Sequence, residues 1–298
     1  MEATRGRRYL PGMDLDLAAD SPADRAAAPF PTYGQDGFDG MRRAGTLAAR
    51  VLDMLAPEVV PGADTDRLDR LAREFIHDHG AVSATIGYRG FRHALCISPN
   101  HVVCHGVPGG KPVNAKPMRE GDIANIDVTV VLDGWHGDTS RMFYAGEPKV
   151  LARRLTDVTY EAMWAGIELV RPGASLRDIG QAIQDRAAAD GFTTVHEFCG
   201  HGLGRRFHTP PNVVHYGKIK IGGQWHAAPD TRIVEGMFFT IEPMICAGRP
   251  ESRILKDGWT AVTKDRSLTA QFEHSIGVTA SGYEVFTRSP AGLDRPPY

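Results

Sequence analysis

The chain has 298 residues, 42% of them apolar and 23% charged, with a formal net charge of -2 at pH 7. That is enough chain and hydrophobicity for a sizeable buried core, and the near-neutral balance gives no electrostatic case for nucleic acid or a membrane surface as partner. No apolar run approaches the roughly 18 residues of a membrane span, no apolar stretch follows Arg5, Arg7 and Arg8 as a secretory signal would require, and Cys96, Cys104, Cys199 and Cys246 form no C-x-x-C pair, so reduced thiols in a cytoplasmic protein are expected.

Residues 1–36 are rich in Ala, Asp, Arg and Pro without a sustained period, and read as a flexible extension ending near Pro29-Phe30-Pro31. Residues 37–290 read as the folded body, and 291–298 as a C-terminal tail. Met41 to Leu55 is helical in pattern. Pro61-Gly62-Ala63-Asp64 then opens a second helix with Leu68, Leu71, Ala72, Phe75 and Ile76 on one face and Gly80 as its stop. The same sequence of signals returns later. Leu151 to Val170 is helical, and Pro172-Gly173-Ala174-Ser175 opens a helix carrying Leu176, Ile179, Ile183 and Ala187, stopped by Gly191. Pro61 and Pro172 stand 111 residues apart, as do Gly80 and Gly191, and Asp64 and Ser175 are both good N-caps. Two rounds of helix, helix and strands predict a duplicated α+β fold, whose facing halves enclose a central cleft.

Between the rounds lies Ile123 to Leu132, a strand by composition, followed by Asp133-Gly134 and Trp135-His136-Gly137-Asp138. Asp-Gly is a strong hairpin signal. If it forms the turn, Leu132 pairs with Trp135, Thr129 with Asp138, and Asp127 becomes the diagonal neighbour of Asp138 on one face. Glu242 closes the apolar run Met237 to Ile241, and Glu273 sits within Ala270 to Ile276. Carboxylates in such strands are costly unless paired, and none of these segments carries Lys or Arg. Two divalent cations would cancel four carboxylates. With His201, in Cys199-Gly200-His201-Gly202, as the one plausible nitrogen donor, the oxygen-rich set favours a catalytic site for metal-assisted hydrolysis over a structural zinc. The segment Asn212 to Glu235, holding His215, His226 and Gly222-Gly223, reads as a surface loop.

The motifs Cys104-His105-Gly106, Asn125-Ile126-Asp127-Val128-Thr129, Gly137-Asp138-Thr139-Ser140-Arg141-Met142-Phe143, Gly200-His201-Gly202-Leu203-Gly204, Phe207-His208, Thr240-Ile241-Glu242-Pro243 and Gln271-Phe272-Glu273-His274 resemble, in order and over residues 38–288, the type I methionine aminopeptidases. The resemblance implies an α+β pita-bread fold of two pseudo-symmetric halves around a dinuclear metal site, and removal of the initiator methionine from nascent proteins when the second residue is small and uncharged. It makes Asp127, Asp138, His201, Glu242 and Glu273 the ligands of two divalent ions (cobalt, manganese, iron(II), zinc or nickel), with Asp138 and Glu273 bridging. Glu242 would also take the proton from the attacking water. His105 and His208 would contact the scissile amide, and Tyr88, Phe91, Cys96, Phe207 and Trp259 would receive the methionine side chain. The partners implied are nascent polypeptide N-termini at the ribosome, for a monomeric enzyme. Thr85 departs from the cysteine common in bacterial relatives.

The competing expectation is an X-Pro aminopeptidase or prolidase, which typically carries a large extra N-terminal domain for which 36 residues are too few. A non-catalytic relative would be expected to have lost ligands. A nucleic-acid protein would draw on Arg205, Arg206, Lys218 and Lys220, which lack interleaved aromatics.

Overall fold

The structure, a computed structural model, describes residues 30–298. The first half comprises α1 (Gln35–Leu55), α2 (Thr65–Asp78), β1 (Val82–Ser83), β2 (Leu95–Pro99), β3 (Val102–Cys104), β4 (Asp122–Leu132) and β5 (Trp135–Ala145). The second repeats the plan with α3 (Val150–Ile167) and α4 (Leu176–Ala189). Its strands are β6 (Thr193–Thr194), β7 (Gly200–Gly202), β8 (Thr209–Val213), β9 (Lys218–Ile221), β10 (Gln224–Ala227), β11 (Phe238–Ile241), β12 (Met244–Cys246), β13 (Ser252–Ile254), β14 (Ala261–Thr263), β15 (Thr269–Gln271), β16 (His274–Val278) and β17 (Tyr283–Val285).

Each half buries a helix pair against its own sheet. Leu47, Leu52, Leu68 and Ile76 pack on Ile97, Ile126 and Val128 in the first. Leu155, Met163, Ile179 and Ile183 pack on Phe239, Ile241 and Ile276 in the second. The helix starts follow the capping signals: the Asp64 carboxylate accepts from the N–H of Asp66, and the Ser175 hydroxyl from that of Arg177. The principal sheets run β1-β4-β2, with β5 also on β4, and β17-β16-β11-β7-β8. An isolated antiparallel bridge between Ser140 and Glu273 joins β5 to the second half. The Asp138-bearing strand of the first half is thereby tied directly to the Glu273 segment of the second.

Three expectations need correction. The packed body begins before residue 37: α1 starts at Gln35, the N–H of Tyr33 donates to the Gly236 carbonyl at 2.9 Å, and the Tyr33 ring stacks on Phe238 at 4.7 Å. Gly37 and Gly40 look like helix breakers, but a Cβ on Gly40 would stand 2.2 Å from Trp135 Nε1, so the indole needs the bare backbone there. Residues 1–29 of the expected extension lie outside the described residues. The stretch 291–298, expected as a C-terminal tail, is packed on the body: the Leu293 carbonyl accepts from Arg141, and the Tyr298 hydroxyl donates to the Met142 carbonyl. Within 212–235, Lys218–Ile221 and Gln224–Ala227 form an antiparallel hairpin turned by Gly222-Gly223, while His215 is buried, not part of a surface loop.

Arg141 explains the packed C-terminus. Its guanidinium is 1% exposed and binds Asp53 at 2.5 Å and the carbonyls of Ala49 and Leu293. Arg141→Met leaves Asp53 largely buried without its cation and releases the C-terminal segment. A loss of about 3–5 kcal/mol is expected in denaturant unfolding. A loss below about 1 kcal/mol would mean the network is peripheral to stability.

No helix among the described residues is long and apolar enough to cross a membrane.

Candidate metal centre and substrate cleft

The hairpin register decides how the first two carboxylates meet. β4 and β5 pair Leu132 with Trp135, Thr129 with Asp138, and Asp127 with Ser140, so Asp127 and Asp138 share one face as diagonal neighbours. The Thr129 hydroxyl donates to Asp138 Oδ1 at 2.8 Å and fixes its rotamer. From the other half, the Glu273 N–H donates to the Ser140 carbonyl at 3.0 Å and its carbonyl accepts from the Thr139 hydroxyl, which seats that residue beside β5.

His201 is delivered by β7, squeezed between β11 and β8. A Cβ at Gly200 would lie 2.4 Å from the Thr240 carbonyl oxygen. The glycine there serves strand packing, not the close approach to a ligand that a glycine-rich stretch suggests. Thr240 accepts from the His201 N–H and donates to Glu242 Oε1 at 2.7 Å, tying the imidazole strand to the carboxylate. His201 Nε2 then faces Asp138 Oδ2 at 3.6 Å and Glu242 Oε1 at 3.7 Å. One donor atom each from Asp138, His201 and Glu273 lie within 4.8 Å of one another.

All the predicted site residues line a single cavity of about 200 Å³: the five expected ligands, His105, His208, and the Tyr88, Phe91, Cys96, Phe207 and Trp259 set. The aromatic wall is continuous, with Tyr88 against Phe207 at 5.1 Å and Phe91 against Trp259 at 5.0 Å. Thr85 also lines it, and its hydroxyl donates to the His93 carbonyl at 2.7 Å, so the departure from cysteine adds a tie within the pocket loop. His208 stacks on Tyr88 and lies 4.1 Å from His201, ring centre to ring centre.

Burial governs the charges. It pushes Asp127, Glu242 and Glu273 well above the usual carboxylate range, with Coulombic repulsion from Asp138 adding to each, and it pushes Asp138 to about 7. Burial lowers His105 and His201 to about 4, and lowers His208 too, so the imidazoles are neutral near pH 7. Cys199 is pushed up to about 12 and Cys96 and Cys104 well above the ordinary thiol value, which argues against a thiolate nucleophile. Among the lining residues the only Lys or Arg is Arg89, at an exposed position. The Asp127, Asp138, Glu242 and Glu273 carboxyls crowded beside the neutral His201 imidazole, with so little protein cation, fit a divalent-metal site.

Two contributors escape a reading of the sequence. His215 Nε2 accepts the N–H of Glu242 at 3.1 Å, and Gln271 Nε2 donates to Glu242 Oε2 at 3.3 Å. Gln271 stands in a family-like motif whose chemistry falls to its neighbour Glu273, and no spacing rule points to His215.

Residues 39–280 match metallopeptidase family M24. The chain is 51% identical over 267 residues to a methionine aminopeptidase of Rickettsia prowazekii, covering 89% of this chain and 98% of the relative. It is 49% identical over 255 residues to a methionine aminopeptidase of Escherichia coli K12, covering 85% and 91%. The crystal structure of methionine aminopeptidase from Rickettsia prowazekii superposes with a TM-score of 0.81 at 48% identity, covering 87% of this chain and 99% of that one.

Proposed function

This chain belongs to metallopeptidase family M24, and on that premise we propose that it is a methionyl aminopeptidase that removes the N-terminal methionine of nascent polypeptides whose second residue is small. The observation that carries the reading is the convergence of four carboxyls, His201 and an aromatic, sulfur-tolerant slot in one cavity. Asp127, Asp138, His201, Glu242 and Glu273 would hold two divalent ions, of which cobalt, manganese, iron(II), zinc and nickel all suit the donors. Such ions, when bound, would neutralise the acids, polarise the scissile carbonyl and acidify water.

The remaining work belongs to the chain's own groups. Tyr88, Phe91, Cys96, Phe207 and Trp259 grip the methionine side chain. The Asp127 carboxylate receives the substrate's α-ammonium group, which confines cleavage to the first residue. Glu242 takes the proton of the attacking water and passes it toward the leaving amine. His105 and His208, neutral at pH 7, donate to the amide as it becomes tetrahedral.

Hydrolysis of Met-Ala-Ser, Met-Gly, Met-Leu, Met-Lys and Ala-Pro peptides tests the activity. Turnover should be confined to methionyl peptides with small second residues, with two ions per chain by mass spectrometry. Preference for Ala-Pro would transfer the chain to the X-Pro branch.

A pH experiment tests the ligands separately. The raised carboxyls retain protons in the folded metal-free protein that the unfolded chain releases at its ordinary carboxylate pKa. Folding stability contributed by these groups is thus fully present below about pH 4 and is lost as pH rises through the Asp138 value of about 7. Manganese binding expels those protons and relieves the repulsion. The rise in Tm on adding saturating Mn²⁺ should therefore be larger at about pH 8 than at about pH 5.5. Equal rises would remove these carboxyls from the ligand set.

A further inference from the structure

The loop that carries Phe207 and His208 is irregular from Gly204 onward and returns to a strand only at Thr209. One residue outside the cavity holds it at two points. On β5, the backbone N–H of His136 donates to the Gly204 carbonyl at 2.9 Å, and its ring Nδ1 lies 3.0 Å from the same oxygen, a donor in the tautomer that bonds it. Both lone pairs of that carbonyl are thereby engaged. The imidazole plane then lies almost parallel to the Phe207 ring, 16° apart with centres at 5.8 Å. Phe207 in turn lies 4.0 Å from His208 and 5.1 Å from Tyr88, so its placement is felt in both the side-chain slot and the hydrogen-bonding imidazole.

We propose that His136 is a positioning residue, which sets Phe207 and His208 against the reacting centre by clamping the Gly204 carbonyl and bracing the Phe207 ring. The inference rests on the methionyl aminopeptidase reading of Phe207 and His208. Its place in the strand adds force. His136 and Asp138 are alternate residues of β5 and share a face, so the strand that presents Asp138 also holds the loop of Phe207 and His208. A shift of β5 would move both together, and a loop freed from His136 would move alone.

The clamp and the brace separate by substitution. His136→Asn keeps an N–H near the Nδ1 position and loses the ring. His136→Phe keeps the ring and loses the side-chain donor, and His136→Ala loses both, while the backbone N–H bond to the Gly204 carbonyl persists in all three. Each is loaded with Mn²⁺ and assayed on Met-Ala-Ser and Leu-Ala-Ser, with methionine affinity by calorimetry, Tm and metal content on the same samples. His136→Ala should lower kcat on Met-Ala-Ser by about 100-fold, the scale of a displacement near 1 Å. It should also narrow the Met-over-Leu ratio of kcat/KM and weaken methionine binding. His136→Asn should recover kcat more than selectivity, and His136→Phe selectivity more than kcat.

Folded, metal-loaded variants with parental kcat and parental Met-over-Leu ratio would overturn the proposal, even with a lowered Tm. If the alanine variant does not fold, the asparagine and phenylalanine pair decides the matter by the same two readouts. A parent inactive on Met-Ala-Ser would overturn the functional reading and this inference together, whereas an active parent with indifferent variants overturns only the inference.

Discussion

Glu242→Gln is expected to lower kcat on Met-Ala-Ser by about 10³-fold while KM stays within a few-fold, the signature of an interaction used in the transition state. The geometry makes this substitution informative. Glu242 Oε1 accepts from Thr240 and faces His201, and Oε2 accepts from Gln271, so an amide of the same shape keeps an oxygen on the ligand side. What it loses is a basic oxygen able to take and return a proton. Burial, with Asp138 and Asp127 as like-charged neighbours, raises the Glu242 pKa, the direction required of a group that must hold a proton briefly near neutrality. Metal content, measured on the same preparation, separates this role from ligation. Two ions with lost turnover identifies a proton carrier, whereas lost ions would assign the defect to the binding of metal. Near-parental kcat would remove Glu242 from the chemistry.

The legible parts of the fold are those written in local chemistry. Asp133-Gly134 implies a two-residue turn, and the turn implies the register, so Thr129 opposite Asp138 and the diagonal placement of Asp127 follow from counting. The two N-caps and two glycine stops mark α2 and α4, because capping is satisfied within a few residues of the helix end. What escapes depends on partners far along the chain. Trp135 on Gly40, His215 on the Glu242 backbone, His136 on the Gly204 carbonyl and Arg141 on Asp53 join residues separated by dozens of positions. Gly40 in α1 looks like a breaker until the Trp135 indole is in place. His215 looks like part of a surface loop until the Glu242 N–H bonds to its ring. The expected ligands are conspicuous because a carboxylate inside an apolar strand violates a local rule, while the groups that orient them violate none.

His208→Ala should cost about 10²–10³-fold in kcat, the range seen when one donor to a developing oxyanion is lost. Its consequences differ from those of His201→Ala, although the two rings lie only 4.1 Å apart. His201 belongs to the trio of close donor atoms, so its removal should release metal. His208 is not among the five proposed ligands, and metal content should stay at two per chain. Its Nδ1 is buried without a protein partner among the described residues, and the residue lines the cavity. Burial, reinforced by the neighbouring His201 and His105, keeps that ring neutral, which makes it a hydrogen-bond donor and not a titrating acid at working pH. The residual activity of His208→Ala should therefore keep the parental shape of its pH profile around pH 6 to 8 at a lower plateau. A limb that vanishes from that range with the mutation would instead make His208 an acid–base participant, and a full plateau would take it out of the reaction altogether.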